Sequence, residues 1–390
     1  MTVNDNREAW HDRYRSGVFL APMVRVGTLP MRLLCLRYGA DLVWSPEIID
    51  KSIVGCERQV DSRTGVISYM KGDRDIFTTH PSEKDKLVFQ IGSAEPEAAL
   101  AAAKTVEQDV SGFDLNCGCP KKFSIQGGMG AALMADPDRL CTILEMLVKN
   151  VSVPVTCKIR VFDNEEKTLA LVRRIAATGV SALTVHCRTK DMRPAEKAMW
   201  HRLGSIVKAV ADLPIILNGD IFAYKDAQRA RDSTGATSVM TARGAAANPS
   251  IFRAEGKLDT MEAVIEYAKL AVRTCNTYHN TKYTLLQMYP DTKSQKYINL
   301  RSAKQYDAMC NALELGEFYR NEGALLISQN TEAADCKAGL KEDNNEHPSS
   351  RKRSALDATL SLDASTCGNS ESNDNTTGIA TETPAKRIKA

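Results

Sequence analysis

The feature that most constrains this chain is an alternation of two kinds of segment. Short apolar, β-branched runs recur through the first two-thirds: VFLAPM from Val18, ADLVWS from Ala40, KLVFQIG from Lys86 and GFDLNCG from Gly112. They continue with PVTCKIR from Pro154, ALTVHCR from Ala182, PIILNGD from Pro214 and SVMTARG from Ser238. Runs apolar on both faces belong to buried parallel sheets. Helix-period segments separate most of them, such as AEPEAALAAAKTVEQ from Ala94 and NEEKTLALVRRIAATG from Asn164. The second has a polar start, early carboxylates and a glycine just past its end, which are helix boundary signals. Eight strands with intervening helices over roughly 250 residues are what a (β/α)8 TIM barrel requires. A doubly wound sheet is the competing architecture, and it rarely needs so many strands.

The polar stretch DSRTGVISYMKGDRDIFTTHP, after the second strand, predicts an inserted hairpin. From about Gly256 the strand signals stop, and MEAVIEYAKLAVRTCNTYHNTKY and AMCNALELGEFYRNEGALL predict a small helical domain. From about Asn330 the composition turns to Ser, Thr, Asn, Asp and Ala with almost no aromatics, and a disordered tail is expected. The expected division is therefore an N-terminal extension at 1–16, a barrel at 17–255, a helical domain at 256–328 and the tail at 329–390.

Composition narrows the function classes. With 43% hydrophobic and 25% charged residues the chain reads as a soluble globular protein. A net charge of +3 is too small to mark a polyanion binder unless the positive charge is clustered. Eleven cysteines without a repeating spacing suit a reducing compartment. The start, MTVNDNREAWHDRYRSG, lacks a signal peptide's apolar core, and no run approaches membrane-spanning length. The expectation is a monomeric cytoplasmic protein without membrane contact. Basic clusters at Arg351-Lys352-Arg353 and at Lys386-Arg387 with Lys389 allow a nuclear fraction.

In this fold the active site forms at the C-terminal ends of the strands. Those ends read Ala21-Pro22-Met23, Gln90, Asn116 to Pro120, Lys158 with Arg160, His186 with Arg188, Asn218-Gly219-Asp220 and Ala242-Arg243-Gly244. Any one of these can be a strand cap or a paired charge; a whole ring of them marks a site. NGD and ARGAAANPSIF follow the seventh and eighth strands, where such barrels often hold a phosphate. Two plain tight turns are the alternative there. A phosphate suggests a phosphorylated cofactor across the mouth, and Lys158 is then placed to stabilise an anionic reduced flavin ring.

The stretch FDLNCGCPKKFSIQGGMGAALM, residues 113 to 134, carries the other signal. A zinc site needs more ligands than Cys117 and Cys119 supply, and no metal is expected. A disulfide across one glycine would be strained. GGMGAALM lacks the ending of a nucleotide P-loop. What remains is a thiol at the mouth, on a loop stiffened by Pro120. With a free pKa of about 8.5 it is mostly protonated at neutral pH and can donate a proton or act as a nucleophile.

With these residues in view, the chain resembles the tRNA-dihydrouridine synthases, flavoenzymes that reduce the C5=C6 bond of uridine in tRNA. APM, FQIG, DLNCGCP, KIR, VHCR, NGD and ARGAAANPSIF match that family in order. CPKKFSIQGGMGAALM, PVTCKIR and NTKYTLLQMY look like its eukaryotic type 2 branch, which modifies uridine 20 of the D-loop. The resemblance covers about residues 17 to 326. It implies that Cys119 is the general acid and that Cys117, where relatives usually carry methionine, is not. It implies FMN, reduced by NADPH or NADH, against Pro22, Met23, Val24, Gln90, Lys158, His186, Asn218, Gly219, Asp220, Ala242 and Arg243. It implies tRNA as the partner. Candidate tRNA contacts are Asn116, Arg160 and Arg188 at the mouth and Lys282, Tyr283, Lys293, Lys296, Arg301 and Lys304 on the helical domain, each lysine also readable as part of a solvated charged face. Cys187 replaces a glycine usual in relatives, and nothing after Ser328 has the pattern of a double-stranded-RNA-binding domain. Two other readings stay open: a dihydroorotate or dihydropyrimidine dehydrogenase of the same fold, and a catalytically inactive RNA-binding or regulatory protein.

Overall fold

In the computed structural model, which describes residues 9–322, each of the eight apolar runs contains a strand. The strands in chain order are β1 (Val18–Leu20), β2 (Val43–Trp44), β3 (Ile48–Ile49), β4 (Glu57–Val60), β5 (Ile67–Lys71) and β6 (Arg74–Thr79). They continue with β7 (Leu87–Gly92), β8 (Gly112–Asn116), β9 (Val155–Arg160), β10 (Ala182–His186), β11 (Ile215–Asn218) and β12 (Ser238–Thr241). β1 pairs in parallel with β2 and β12, β2 with β7, and β7 through β12 each with the next. The ring closes, giving an eight-stranded parallel barrel, while β3 adds to β7 at its rim.

Side chains alternate across a strand, so each barrel strand has an inward and an outward set. Phe19, Ala21, Trp44, Val88, Ala182, Ile216 and Met240 form one buried cluster inside the ring. Tyr14 closes it from below, its ring 6.5 Å from both Phe19 and Trp44. The outward set, including Leu20, Phe89, Leu115, Cys157, Val185 and Val239, packs under the helices in a second cluster. The helices are amphipathic and capped as the sequence suggests. Leu140, Ile143, Leu144 and Leu147 line one face of Pro137–Asn150. Asn164 Oδ1 accepts from the Lys167 amide at 2.8 Å to start Glu165–Ala177.

Continuing the inward parity to the strand ends replaces the apolar plug by polar groups. Above Val88 stands Gln90, above Gly112 stand Asp114 and Asn116, and above Thr156 stand Lys158 and Arg160. His186, Asn218 and Ala242 follow Ala182, Ile216 and Met240 on the same face.

The expected hairpin is β5 with β6, and it gains a third antiparallel strand, β4, whose residues ERQV are all exposed. Nothing apolar in ERQV signals a strand; pairing to β5 supplies its hydrogen bonds instead. Arg58 of β4 grips Asp109 with two hydrogen bonds of 2.6 and 3.0 Å, tying the insertion to the barrel. Arg32 and Glu83 form a fully buried ion pair at 2.7 Å nearby.

Past the barrel the chain is helical, through Thr260–Arg273, Tyr278–Met288, Gln295–Ser302 and Tyr306–Ala312. The first packs Val264, Tyr267 and Ala271 inward, and Arg37 bonds Glu266 at 3.1 Å. Arg25, after β1, lies over the Tyr283 ring at 4.1 Å. The expected tail lies outside the described residues, as do residues 1–8 of the N-terminal extension. Among the described residues no helix is long and apolar enough to cross a membrane, and no group of three metal-ligating side chains forms.

Candidate functional site

The polar strand ends open into a cleft with two lobes. One, of about 220 Å³, is walled by Glu47, Gln90, Asn116, Cys119, Lys158 and neighbours. The other, of about 180 Å³, is walled by Arg188, Gly219, Asp220, Phe222, Arg243 and neighbours. Arg160, His186, Asn218 and Ala242 belong to both walls, so the lobes are continuous. Of the expected cofactor residues, Pro22 and Val24 also line the first lobe, while Met23 stands half-buried beside them.

The thiol loop leaves β8 under tight control. Asn116 Oδ1 accepts from the amides of Gly118 at 3.0 Å and Cys119 at 3.1 Å. Arg160 Nε donates to the Gly118 carbonyl at 2.8 Å, and the Ala131 amide donates to the Cys119 carbonyl at 3.0 Å. Gly130 (φ 57°) passes so close that a β-carbon would stand 2.7 Å from the Cys119 carbonyl oxygen. This is the physical reason for glycine in GGMG. Cys119 is half-buried and faces the cleft, whereas Cys117 is fully buried with its Sγ 3.5 Å from Cys157 Sγ. Burial pushes the Cys119 thiol up, and the Glu47 carboxyl adds to that effect.

Across the lobe Lys158 is ringed by protein but keeps part of its side chain open to the cleft. Burial, reinforced by Arg160 and opposed by Asp114, lowers its pKa to about 8. Asp114 is fully buried and raised to about 6, chiefly by desolvation. It accepts from Thr156 Oγ1 and Gln90 Nε2, both at 2.7 Å. Gln90 thus turns its amide nitrogen to Asp114 and leaves its carbonyl oxygen for the cleft. Burial and the cations Lys158, Arg160 and Arg188 hold His186 neutral. Arg188 Nη1 lies 3.1 Å from His186 Nε2, and a guanidinium only donates. The ring proton is therefore on Nδ1.

In the second lobe Asp220 adopts φ 59°, in the left-handed region, and gathers two arginines. Arg188 and Arg243 both bond its Oδ1, the latter at 2.7 Å, while the Ala198 amide donates to Oδ2 at 2.7 Å. Gly219 precedes it at φ 121°, and Trp200 Nε1 donates to the Gly219 carbonyl at 2.9 Å. Asn218 Nδ2 donates to the Met240 carbonyl at 2.9 Å, bracing β11 against β12. Arg243 then begins the single-turn helix Arg243–Ala247 with its side chain half-exposed over Phe222.

The expected tRNA residues divide. Lys293, Arg301 and Lys304 are exposed on the helical surface. Lys296 is exposed but paired with Glu314 at 2.8 Å. Lys282 Nζ donates to the Ala303 carbonyl at 2.5 Å, at the end of Gln295–Ser302. Tyr283 is covered by Arg25. At the mouth Asn116, Arg160 and Arg188 are anchored by loop and carboxylate partners, Arg188 being only 3% exposed. They present fixed edges to the cleft rather than mobile side chains. Sequence reading missed Glu47, buried at the cleft wall, and the exposed apolar Phe123 and Ile125 just beyond the thiol. SPEIID gave no signal for Glu47, whose side chain packs closely over Gly92 of β7.

A family model described as dihydrouridine synthase matches residues 19–344. A Schizosaccharomyces pombe protein named tRNA-dihydrouridine(20) synthase, with NAD(P)+ in its name, is 45% identical over 314 residues, 77% of this chain and 66% of that protein. A Saccharomyces cerevisiae protein of the same name is 38% identical over 354 residues, 84% of this chain and 90% of its own length. A human protein named as a tRNA-dihydrouridine(20a/20b) synthase-like protein is 33% identical over 235 residues, 60% of this chain and 69% of that one.

Proposed function

The chain belongs to the dihydrouridine synthase family, and on that premise we propose that it reduces the C5=C6 bond of uridine in the D-loop of tRNA, at position 20, to dihydrouridine. The observation that carries this reading is the pairing, in one cleft at the mouth of a closed parallel barrel, of a half-buried thiol, Cys119, with a partly buried lysine, Lys158. The names of the two yeast relatives support the substrate and the position.

The residues present fit FMN, with NADPH or NADH as the reductant. The long two-lobed cleft has a cationic end at Arg243 and Arg188, joined by the tight Gly219-Asp220 turn, which suits a phosphate. Its other end offers a carbonyl from Gln90, a neutral imidazole from His186 and the Lys158 ammonium, which suits the polar edge of a flavin ring. A bound flavin supplies hydride to C6 of the pyrimidine.

The chain's own groups do the rest. Lys158 holds positive charge where negative charge gathers on reduction. The C5=C6 bond of uracil is conjugated to the C4 carbonyl, so C5 becomes enolate-like and takes a proton. Cys119 Sγ donates that proton, held in place by Asn116 and Gly130 through its loop. The uridine must leave the stack of the tRNA elbow to reach a cleft this deep. Lys293, Arg301 and Lys304, with Lys282, Tyr283 and Lys296, form the proposed backbone cradle, and Asn116, Arg160 and Arg188 the fixed contacts to the base. The proposed place of work is the cytoplasm with a nuclear fraction.

The test is direct. Purified protein, NADPH and tRNA lacking dihydrouridine should yield a uridine two hydrogens heavier, and the protein should carry flavin absorbance. A flavin-loaded protein that oxidises NADPH yet leaves every uridine unchanged would overturn the tRNA reading.

A further inference from the structure

Glu47 follows β2, is 9% exposed, and shares the cleft wall with Asn116 and Cys119. Its side chain packs on the end of β7, where a β-carbon on Gly92 would stand 2.7 Å from Oε1. The Cys119 thiol and the Asn116 side chain are its polar neighbours, each within loose hydrogen-bonding reach of the carboxyl and neither in close, well-aligned contact with it. A buried carboxyl held only by such loose contacts is costly and contributes nothing to packing that an apolar residue would not. Such a group calls for a role in the site.

The charges around Cys119 define that role. Lys158 and Arg160 act on it from β9, and the Lys121 backbone amide bonds it on its own loop. The two cations and that amide draw a thiol toward thiolate. Glu47, from the loop after β2, is the acidic group facing it from the other side. Asn116 links the two: its carbonyl oxygen is taken by the Gly118 and Cys119 amides, which leaves its amide nitrogen for Glu47.

We propose that Glu47 is a positioning residue that keeps Cys119 a thiol among these cations and sets the orientation of Asn116 beneath it. This rests on the reading of Cys119 as the proton donor. When the S–H bond breaks and the C5–H bond forms, the electron pair stays on sulfur beside an ionised carboxylate. That arrangement disfavours a lasting thiolate, so the thiol is restored from water, and a side reaction of thiolate with the pyrimidine is suppressed. The influence is present only where Glu47 is ionised. Burial raises its pKa, so the influence is lost as pH falls into that raised range.

The experiment is iodoacetamide alkylation of the purified holoenzyme across pH, with Cys119 and the exposed Cys275 followed by peptide mass spectrometry. In Glu47→Gln the Cys119 profile should move to lower pH, and its alkylation at neutral pH should rise roughly three- to tenfold, with Cys275 unchanged. Glu47→Asp should stay close to the parent and serves if the glutamine variant folds poorly. Superimposable profiles for Cys119 would overturn the proposal, as would a parallel rise at Cys275, which marks general loosening. The readout needs no tRNA, so a failure to form dihydrouridine would sink the proposed function without touching this measurement.

Discussion

Gly130 and Cys119 are in backbone contact across the thiol loop: the Ala131 amide bonds the Cys119 carbonyl, and a β-carbon on Gly130 would stand 3.0 Å from Cys119 Cβ and 2.3 Å from Ser124 Oγ. Gly130→Ala must both relieve that overlap and hold φ 57°, which an alanine resists. The expected cost is about 1–3 kcal/mol in a thermal melt, with a larger proportional loss of dihydrouridine formation because the thiol moves. A melt and an activity assay on the same preparation check it; a variant with parent activity would remove Gly130 from the site.

Lys158 links the cleft to pH. Its pKa of about 8 lies below the usual lysine value because burial disfavours the ammonium. The cation is therefore present below that pH and lost as pH rises through it. Flavin reduction by NADPH should slow over that rise, and Lys158→Arg, which stays charged, should remove the decline. Lys158→Ala should release flavin or reduce it slowly at all pH values. Stopped-flow flavin absorbance gives the result, and a flat parent profile across pH 8 would contradict the assigned charge.

Arg188, Asp220 and Arg243 share one carboxylate but not one environment. Asp220→Ala strands the 3% exposed Arg188 without its counter-charge and should cost about 3–5 kcal/mol of stability. Arg243 is 46% exposed, so Arg243→Ala should leave the apoprotein melt nearly unchanged while weakening FMN affinity. Melts with and without added FMN separate the two. Equal destabilisation by both variants would mean that Arg243 is structural.

Much of this was legible because strand parity is a local property. PVTCKIR puts Lys158 and Arg160 on the same face as Thr156, and PIILNGD puts Asn218 above Ile216, so the polar ring follows from period two once a closed barrel is inferred. Cys119 was told from Cys117 only through the family resemblance, and the structure sets one at the cleft and the other in the core. What stayed hidden depends on contacts between distant segments, which leave no periodic trace. Glu47 fits where it lies because Gly92, far along the chain, has no side chain to meet it. Lys282 is tied to a carbonyl on a later helix, and ERQV is a strand only because Ile67–Lys71 lies beside it. A charged residue's type states what it can do, and its partners decide what it does.

The most direct test is single-turnover dihydrouridine formation by pre-reduced enzyme on tRNA lacking the modification, comparing Cys119→Ala with Cys117→Ala. Removing a positioned acid typically costs roughly 10²–10⁴-fold, and Cys119→Ala should lose activity on that scale while keeping its flavin. Cys117→Ala, altered only in the core against Cys157, should turn over at close to the parent rate. A silent Cys119→Ala beside a dead but folded, flavin-bound Cys117→Ala would contradict the account.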